Sequence, residues 1–159
     1  MPATPQTTDT TRWAIVATMQ AVPGVGVVHD RERYAKDHTA LRALYVAQTD
    51  TGEQLRGWYV RRLAFRVERN GANRRRVFTT WQVRGFMALQ DAAESELVFD
   101  DLVDAVRRAL DADSTLGGAV MSTLFDGETG AQLTSSGPVM FAGVLCHAAD
   151  LTLTTETLE

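Results

Sequence analysis

Cys146 and His147 are the nearest this chain of 159 residues comes to a nucleophile beside a base. They are adjacent in sequence, and neighbouring side chains on a strand point to opposite faces. A Cys/His pair needs both groups to converge, so this spacing argues against it. A buried thiol and a hydrogen-bonded imidazole are the simpler reading. The other histidines, His29 and His38, flank a charged run and have neither an i, i+4 partner nor a second cysteine. That is not the ligand spacing of a zinc site. Asp100, Asp101 and Asp104 could be imagined around a cation, but their spacing also suits the solvated face of a helix. Gly24-x-Gly26 lacks a preceding strand and a correctly placed third glycine, so it reads as a turn into a short strand. No GxSxG elbow, Walker loop or HExxH pair is present. No catalytic residue, cofactor site or metal site is assigned, and the chain is read as a non-enzyme.

What remains is arginine. Residues 54–90 carry Arg56, Arg61, Arg62, Arg66, Arg69, Arg74, Arg75, Arg76 and Arg84 against a single acid, Glu68, a formal +8. Residues 91–159 carry Arg107 and Arg108 against thirteen acids, a formal −11. The modest total of −4 therefore hides a strong internal asymmetry. The cluster around Arg74, Arg75 and Arg76 has three readings: a solvated turn, a contact with an acidic protein surface, or a contact with DNA phosphates. Arginine without lysine leans toward protein interfaces, because guanidinium is weakly hydrated and grips carboxylates bidentately.

The element that must present these arginines is a long β-hairpin, Leu55 to Leu89. In its first run Leu63, Phe65 and Val67 alternate with Arg62, Ala64, Arg66 and Glu68, the period of a strand. In its second run Val77, Thr79, Trp81, Val83 and Met87 share a face. Arg76, Phe78, Thr80, Gln82, Arg84 and Phe86 share the other, a mixed face that invites partial covering. Asn70-Gly71 between the runs is a strong hairpin signal, since both residues tolerate positive φ. At about 3.3 Å per residue, arms of this length reach about 30 Å or more, enough to project past a small domain.

The second clear element is a helix. Phe99, Leu102, Val103, Val106, Ala109 and Leu110 fall on one helical face, with Asp100, Asp101, Asp104, Arg107, Arg108 and Asp111 opposite. Asp91 to Glu94 resembles a capping signature, with Ser95 as an alternative cap. The apolar stripe is expected to pack on the hairpin sheet. An earlier helix is expected from Asp9 or Thr10 to just before Pro23-Gly24, preceded by a flexible tail over residues 1–9. A short strand is expected within VGVVHD, a solvated charged run over Asp30–Thr39, and a strand or edge element over Leu41–Val46. Thr49 to Gly52 and Asp126-Gly127 are turn signals. Ala119–Phe125 could form a strand. The stretch from Val139 to Leu153 reads as a central strand that becomes more exposed toward its end.

One α+β domain over residues 10–159 accommodates all of this: a mostly antiparallel sheet with a long hairpin and two main helices packed on it. A chain of this size can bury about 70% of its unfolded surface, so it needs no staple. Its single cysteine forbids an intrachain disulfide. No signal-peptide pattern and no apolar run near 18 residues is seen, so neither export nor a membrane partner is expected.

Four segments in order resemble the tail terminator (tail-completion) proteins of long-tailed phages and Mu-like prophages. They are VVHDRERYAKDHTALRALYV, LRGWYVRR, VRGFMALQDAAESELVFDDLVDAVRRALDADSTLGGAV and FAGVLCHAADLTL. The resemblance covers about residues 12 to 155, and the helix followed by DSTLGG and the GVLCH strand carry most of it. It implies a small α+β subunit with no enzymatic activity. Six copies would form a ring on the head-proximal end of the tail tube, contacting the tube protein and the neck or connector protein. The ring would be made in the host bacterial cytoplasm and reside at the tail–neck junction of the virion, with genomic DNA passing through its channel. The interface candidates are Arg66, Arg69, Arg74, Arg75 and Arg76 on the hairpin and Asp100, Asp101 and Asp104 on the helix. Reversing Arg74, Arg75 and Arg76 to Glu is expected to stop ring assembly and spare the fold. A head-completion or connector subunit, or a nucleic-acid-binding module using the Arg-rich hairpin, stays open as an alternative.

Overall fold

Two strands far longer than their neighbours set the architecture. The computed structural model describes residues 5–69, 71–125, 127 and 129–159. In chain order its helices are α1 (Thr8–Gln20), α2 (His38–Ala43) and α3 (Ser95–Asp111). Its strands are β1 (Val27–His29), β2 (Val46–Thr49), β3 (Gly52–Arg69), β4 (Arg75–Ala88), β5 (Gln132–Phe141) and β6 (Val144–Leu158). The sheet order is β1-β3-β4-β6-β5, with β2 also on β3. Every pairing is antiparallel except β1 on β3. The fold is the expected α+β class.

Facing residues of β4 and its neighbours explain the two sides of the sheet. Trp58 lies opposite Gly85, Val60 opposite Val83, Leu151 opposite Val83 and Leu153 opposite Trp81. This side meets Ile15, Val16 and Met19 of α1 and Phe99, Leu102, Val103, Val106 and Leu110 of α3 in one core. The stripe read on α3 therefore faces the sheet as expected. Trp58 stacks on Phe99 at 6.1 Å and donates its indole N–H to the Val25 carbonyl at 3.0 Å. Gly85 has no side chain because a Cβ there would overlap the Trp58 ring. Each fully buried large side chain of this core contributes about 1.5–3 kcal/mol through burial.

The opposite side carries a second, smaller core of Tyr45, Leu55, Tyr59, Phe86, Cys146 and Ala148, with Leu41 and Leu44 packed against it. Phe86 stacks on Phe141 at 3.9 Å, and Tyr45 meets Phe141 edge-on at 5.0 Å. The mixed face of the second run is thus partly covered, as anticipated.

Several local expectations are corrected. Thr7, rather than Asp9 or Thr10, caps α1: its hydroxyl accepts from the Thr10 amide while Thr10 bonds back, a reciprocal box. Gln6 also accepts a bond from the Leu158 amide, so residues 5–9 belong to the domain. Residues 1–4 lie outside the described part. Leu41–Val46 is split between α2, capped by Asp37, and β2. Asp91 to Glu94 is a single 3₁₀ turn, and Ser95 opens α3 as its first helical residue. Ala119–Phe125 makes only one bridge, Ser122 to Glu156. Asn70 and Asp126 lie outside the described residues, while Gly71 has φ +85° and Gly127 φ +86°.

The last apolar stretch is a hairpin. Ala142 and Gly143, at φ +52° and +76°, turn the chain between β5 and β6. β6 is central as expected. It stays alternately buried to Thr157, because β4 flanks it to the end.

Candidate assembly surface

The arginines sit where the sheet outgrows its cover. β1 pairs with Gly57 to Tyr59 and β2 with Gly52 to Leu55, so the outer edge of β3 is covered only up to Tyr59. Arg61 to Arg69 are all exposed. Nine strand residues span about 30 Å. The arm is paired along one edge with β4 and is bare along the other among the described residues.

A bulge modifies the expected alternation. The pairing slips between Arg62 and Ala64, leaving Leu63 without a partner. Before the slip the even-numbered residues of β3 face the helices; after it the odd-numbered ones do. Arg62 therefore shares a side with Phe65 and Val67 rather than opposing them, and its guanidinium lies 5.1 Å from the Phe65 ring. Leu63, Phe65 and Val67 are 47%, 55% and 47% exposed, a run of apolar side chains with no core beneath it.

The candidate arginines divide into engaged and free groups. Arg66 bonds Glu68 and lies 3.9 Å from the Phe78 ring. Arg76 bonds Glu156 at 2.7 Å, and its guanidinium lies 5.0 Å from the same ring. Phe125 closes on Phe78 at 4.9 Å. Arg76 thus helps hold β4 to β6, so reversing it bears on stability as well as on the surface. Arg69, Arg74 and Arg75 enter no ion pair among the described residues. They line one hollow with Glu159, whose backbone exchanges bonds of 3.2 and 2.9 Å with that of Arg75.

Asp100, Asp101 and Asp104 are exposed on the outer face of α3, and Asp104 approaches Arg108 only at 4.0 Å. No ion pair joins these acids to Arg66, Arg69, Arg74 or Arg75 among the described residues. The fold presents the two charge sets separately and leaves both turned outward.

On the side of the sheet away from α1 and α3, beyond the smaller core, lies a polar strip. Thr80 faces Thr154 and Gln82 faces Thr152. Asp150 accepts from Gln82 at 2.9 Å, from Ser135 at 3.1 Å and from Arg84. Its charges are matched within the strip, so it is hydrophilic without strong net charge.

The fold also makes a contact that sequence spacing could not show. Ser95 and His147, 52 residues apart, meet at 2.8 Å between Oγ and Nε2. The same hydroxyl accepts the Gln90 amide, and Phe99 stacks on the imidazole at 5.9 Å. Ser95 is buried and His147 half-buried, and the pair ties the start of α3 to β6. Cys146 points into the smaller core, where burial pushes its thiol up to about 11. The adjacent Cys and His do face opposite sides. Burial likewise pushes Tyr59 up to about 12. These groups stabilise the fold in their neutral forms.

Fold and surface together define an α+β protein whose distinguishing chemistry is a projecting cationic strand pair and a separate acidic helix. No family model matches the chain, and no curated protein matches it.

Proposed function

We propose that this chain is a structural subunit that works by assembling with copies of itself. Its particular role is that of a phage tail terminator: a six-membered ring on the head-proximal end of the tail tube, joined to the neck or connector. The observation that carries this reading is the separation of charge, with Arg69, Arg74 and Arg75 at one extremity, outside any ion pair among the described residues, and Asp100, Asp101 and Asp104 exposed on α3. A closed ring uses heterologous contacts, in which one patch complements a different patch of the next copy. The resemblance of the four sequence segments supports the same role. The polar strip of Thr80, Gln82, Thr152 and Thr154 suits a channel wall past which DNA slides.

Native mass spectrometry across concentrations, with negative-stain imaging of the same samples, tests the proposal. A hexamer with a central hole is expected. A chain that stays monomeric throughout and does not bind tail-tube ends overturns it. Arg69→Glu with Arg74→Glu and Arg75→Glu is the suitable reversal, because it leaves Arg76 on Glu156. It should abolish assembly while the circular dichroism spectrum is kept.

A second reading rests on the same free arginines: a nucleic-acid contact at the arm tip. It requires duplex DNA affinity that falls steeply with salt and is lost in that triple variant.

A further inference from the structure

The outer edge of β3 ends in a stretch with a definite bonding pattern and no strand beside it. Arg61 is held by Glu32 at 3.0 Å, and beyond it the pairing with β4 is regular from Ala64 to Arg69. Arg75 exchanges both its backbone bonds with Glu159, which follows β6. The odd-numbered residues of β4 therefore bond toward β6 and the even-numbered ones toward β3. The partners of the even-numbered ones, Ala64, Arg66 and Glu68, bond inward. The N–H and C=O groups of Phe65, Val67 and Arg69 point outward, where no strand lies among the described residues.

The side chains define what fits there. On the side that faces α1 and α3, Arg62, Phe65, Val67 and Arg69 follow one another, opposite Trp81, Thr79, Val77 and Arg75 of β4. Two exposed apolar residues thus lie between two arginines that enter no ion pair among the described residues. On the other side Arg66 is already bonded to Glu68. A blunted edge carries charge in place of apolar side chains, whereas one that keeps them is a template for another strand. A strand laid along this edge sets every second residue against these four. Its complement is an acid, two apolar residues and an acid at alternate positions.

This chain does not supply that segment. Acids six residues apart occur only at Glu94 and Asp100 and at Asp150 and Glu156. The first pair opens α3 and has Glu96 between, and the second lies on β6 with Thr152 and Thr154 between. A second β3 edge would bring Arg62, Arg66 and Arg69 of both copies together against one Glu68 from each, and like charges destabilise a strand pair. β5 pairs with β6 from Thr152 to Val144, level with Arg61 and the residues before it. A ring about an axis along the strands therefore does not bring β5 to Phe65.

We propose that the bare edge from Arg62 to Arg69 binds an extended segment of a different protein as an added β-strand. That segment carries acids at its first and seventh positions and apolar residues at its third and fifth. The backbone groups of Phe65, Val67 and Arg69 supply the bonds, and Arg62 and Arg69 select the sequence. This builds on the assembly reading by naming the chemistry of a partner other than the chain itself, although the joint needs no ring.

The probe is a labelled peptide, Ser-Glu-Thr-Val-Thr-Val-Thr-Glu-Ser, compared by fluorescence anisotropy with an analogue that has lysine for both glutamates. The acidic peptide should bind about tenfold tighter or more. Arg62→Glu with Arg69→Glu should invert that preference, with an unchanged circular dichroism spectrum. In hydrogen exchange the amides of Phe65, Val67 and Arg69 should be fast in the wild type and slowed by the acidic peptide. Equal binding of the two peptides, no binding, or protection elsewhere overturns the proposal. So does slow exchange of those amides in the wild-type assembly without peptide, which would give the edge to a copy of the chain. Duplex DNA that protects the same amides when the peptide does not assigns the edge to phosphates and also overturns it. A holed hexamer that ignores the peptide removes the added strand and keeps the ring reading. A chain that binds the peptide, stays monomeric and leaves tube ends alone keeps the added strand and removes the ring reading.

Discussion

β3 is one strand with two fates. From Leu55 to Val60 it is clamped between two cores: Trp58 and Val60 point under α1 and α3, Leu55 and Tyr59 into the smaller core. From Arg61 to Arg69 every residue is exposed, although the same β-branched, aromatic and arginine residue types continue. The difference lies in what covers the strand rather than in the strand. β1 and β2 are three and four residues long against eighteen for β3, so cover ends where they end. Burial makes the inner half responsible for stability. Its absence leaves the outer half available to partners.

The sharpest way to break this contrast is a pair of truncations. Trp58→Ala should lower unfolding free energy by about 3–5 kcal/mol in chemical denaturation, whereas Phe65→Ala should stay within about 0.5 kcal/mol. Similar losses at the two sites would show that the arm is packed in the free protein. Gly85→Ala comes next. Its methyl would strike the Trp58 ring, and a loss of about 1–3 kcal/mol is expected from forced repacking. The third comparison is between two arginines of the arm. Arg76→Ala removes a part-buried bond to Glu156 and should cost about 1–2 kcal/mol, while Arg74→Ala should cost less than about 0.5.

The last comparison is the response to alkali, which the buried groups of the smaller core should show. Cys146 is raised from 9.0 to about 11, and Tyr59 from 10.0 to about 12. Both are acids whose neutral form the folded state prefers. Above pH about 9 the unfolded chain loses these protons first, so the folded state binds more of them and stability falls as pH rises. Their stabilisation is fully present below pH 9 and declines through about pH 12. Denaturation curves between pH 8 and about pH 11 should show the decline, and Cys146→Ala should flatten its first part. A slope that Cys146→Ala leaves unchanged would place the titrating group elsewhere.

Much of the fold was legible because periodicity reports burial. The stripe from Phe99 to Leu110 on α3 and the alternation from Val77 to Met87 on β4 both came through. Expectations failed where a short polar contact overrides pattern. The Thr7 box starts α1 early, Asp37 turns the stretch before Leu44 into a helix, and Ala142-Gly143 folds one apolar run into two strands. A residue such as Ala142 at positive φ carries no compositional warning. The candidate site was half legible. The arginines and aspartates could be counted, but not which of them were already spoken for by Phe78 and Glu156.

The sequence by itself determined the class of fold, the long strand pair, the amphipathic helix and the separation of positive from negative charge. These follow from local periodicity and from counting. Only the tertiary structure decided that β3 is bare beyond Tyr59, that Leu63 bulges and moves Arg62 across the sheet, that Arg76 is internal while Arg74 is free, and that β5 forms the other edge. Each of these depends on which distant strand lies alongside and how far it extends. That is a property of long-range pairing, which no local pattern encodes.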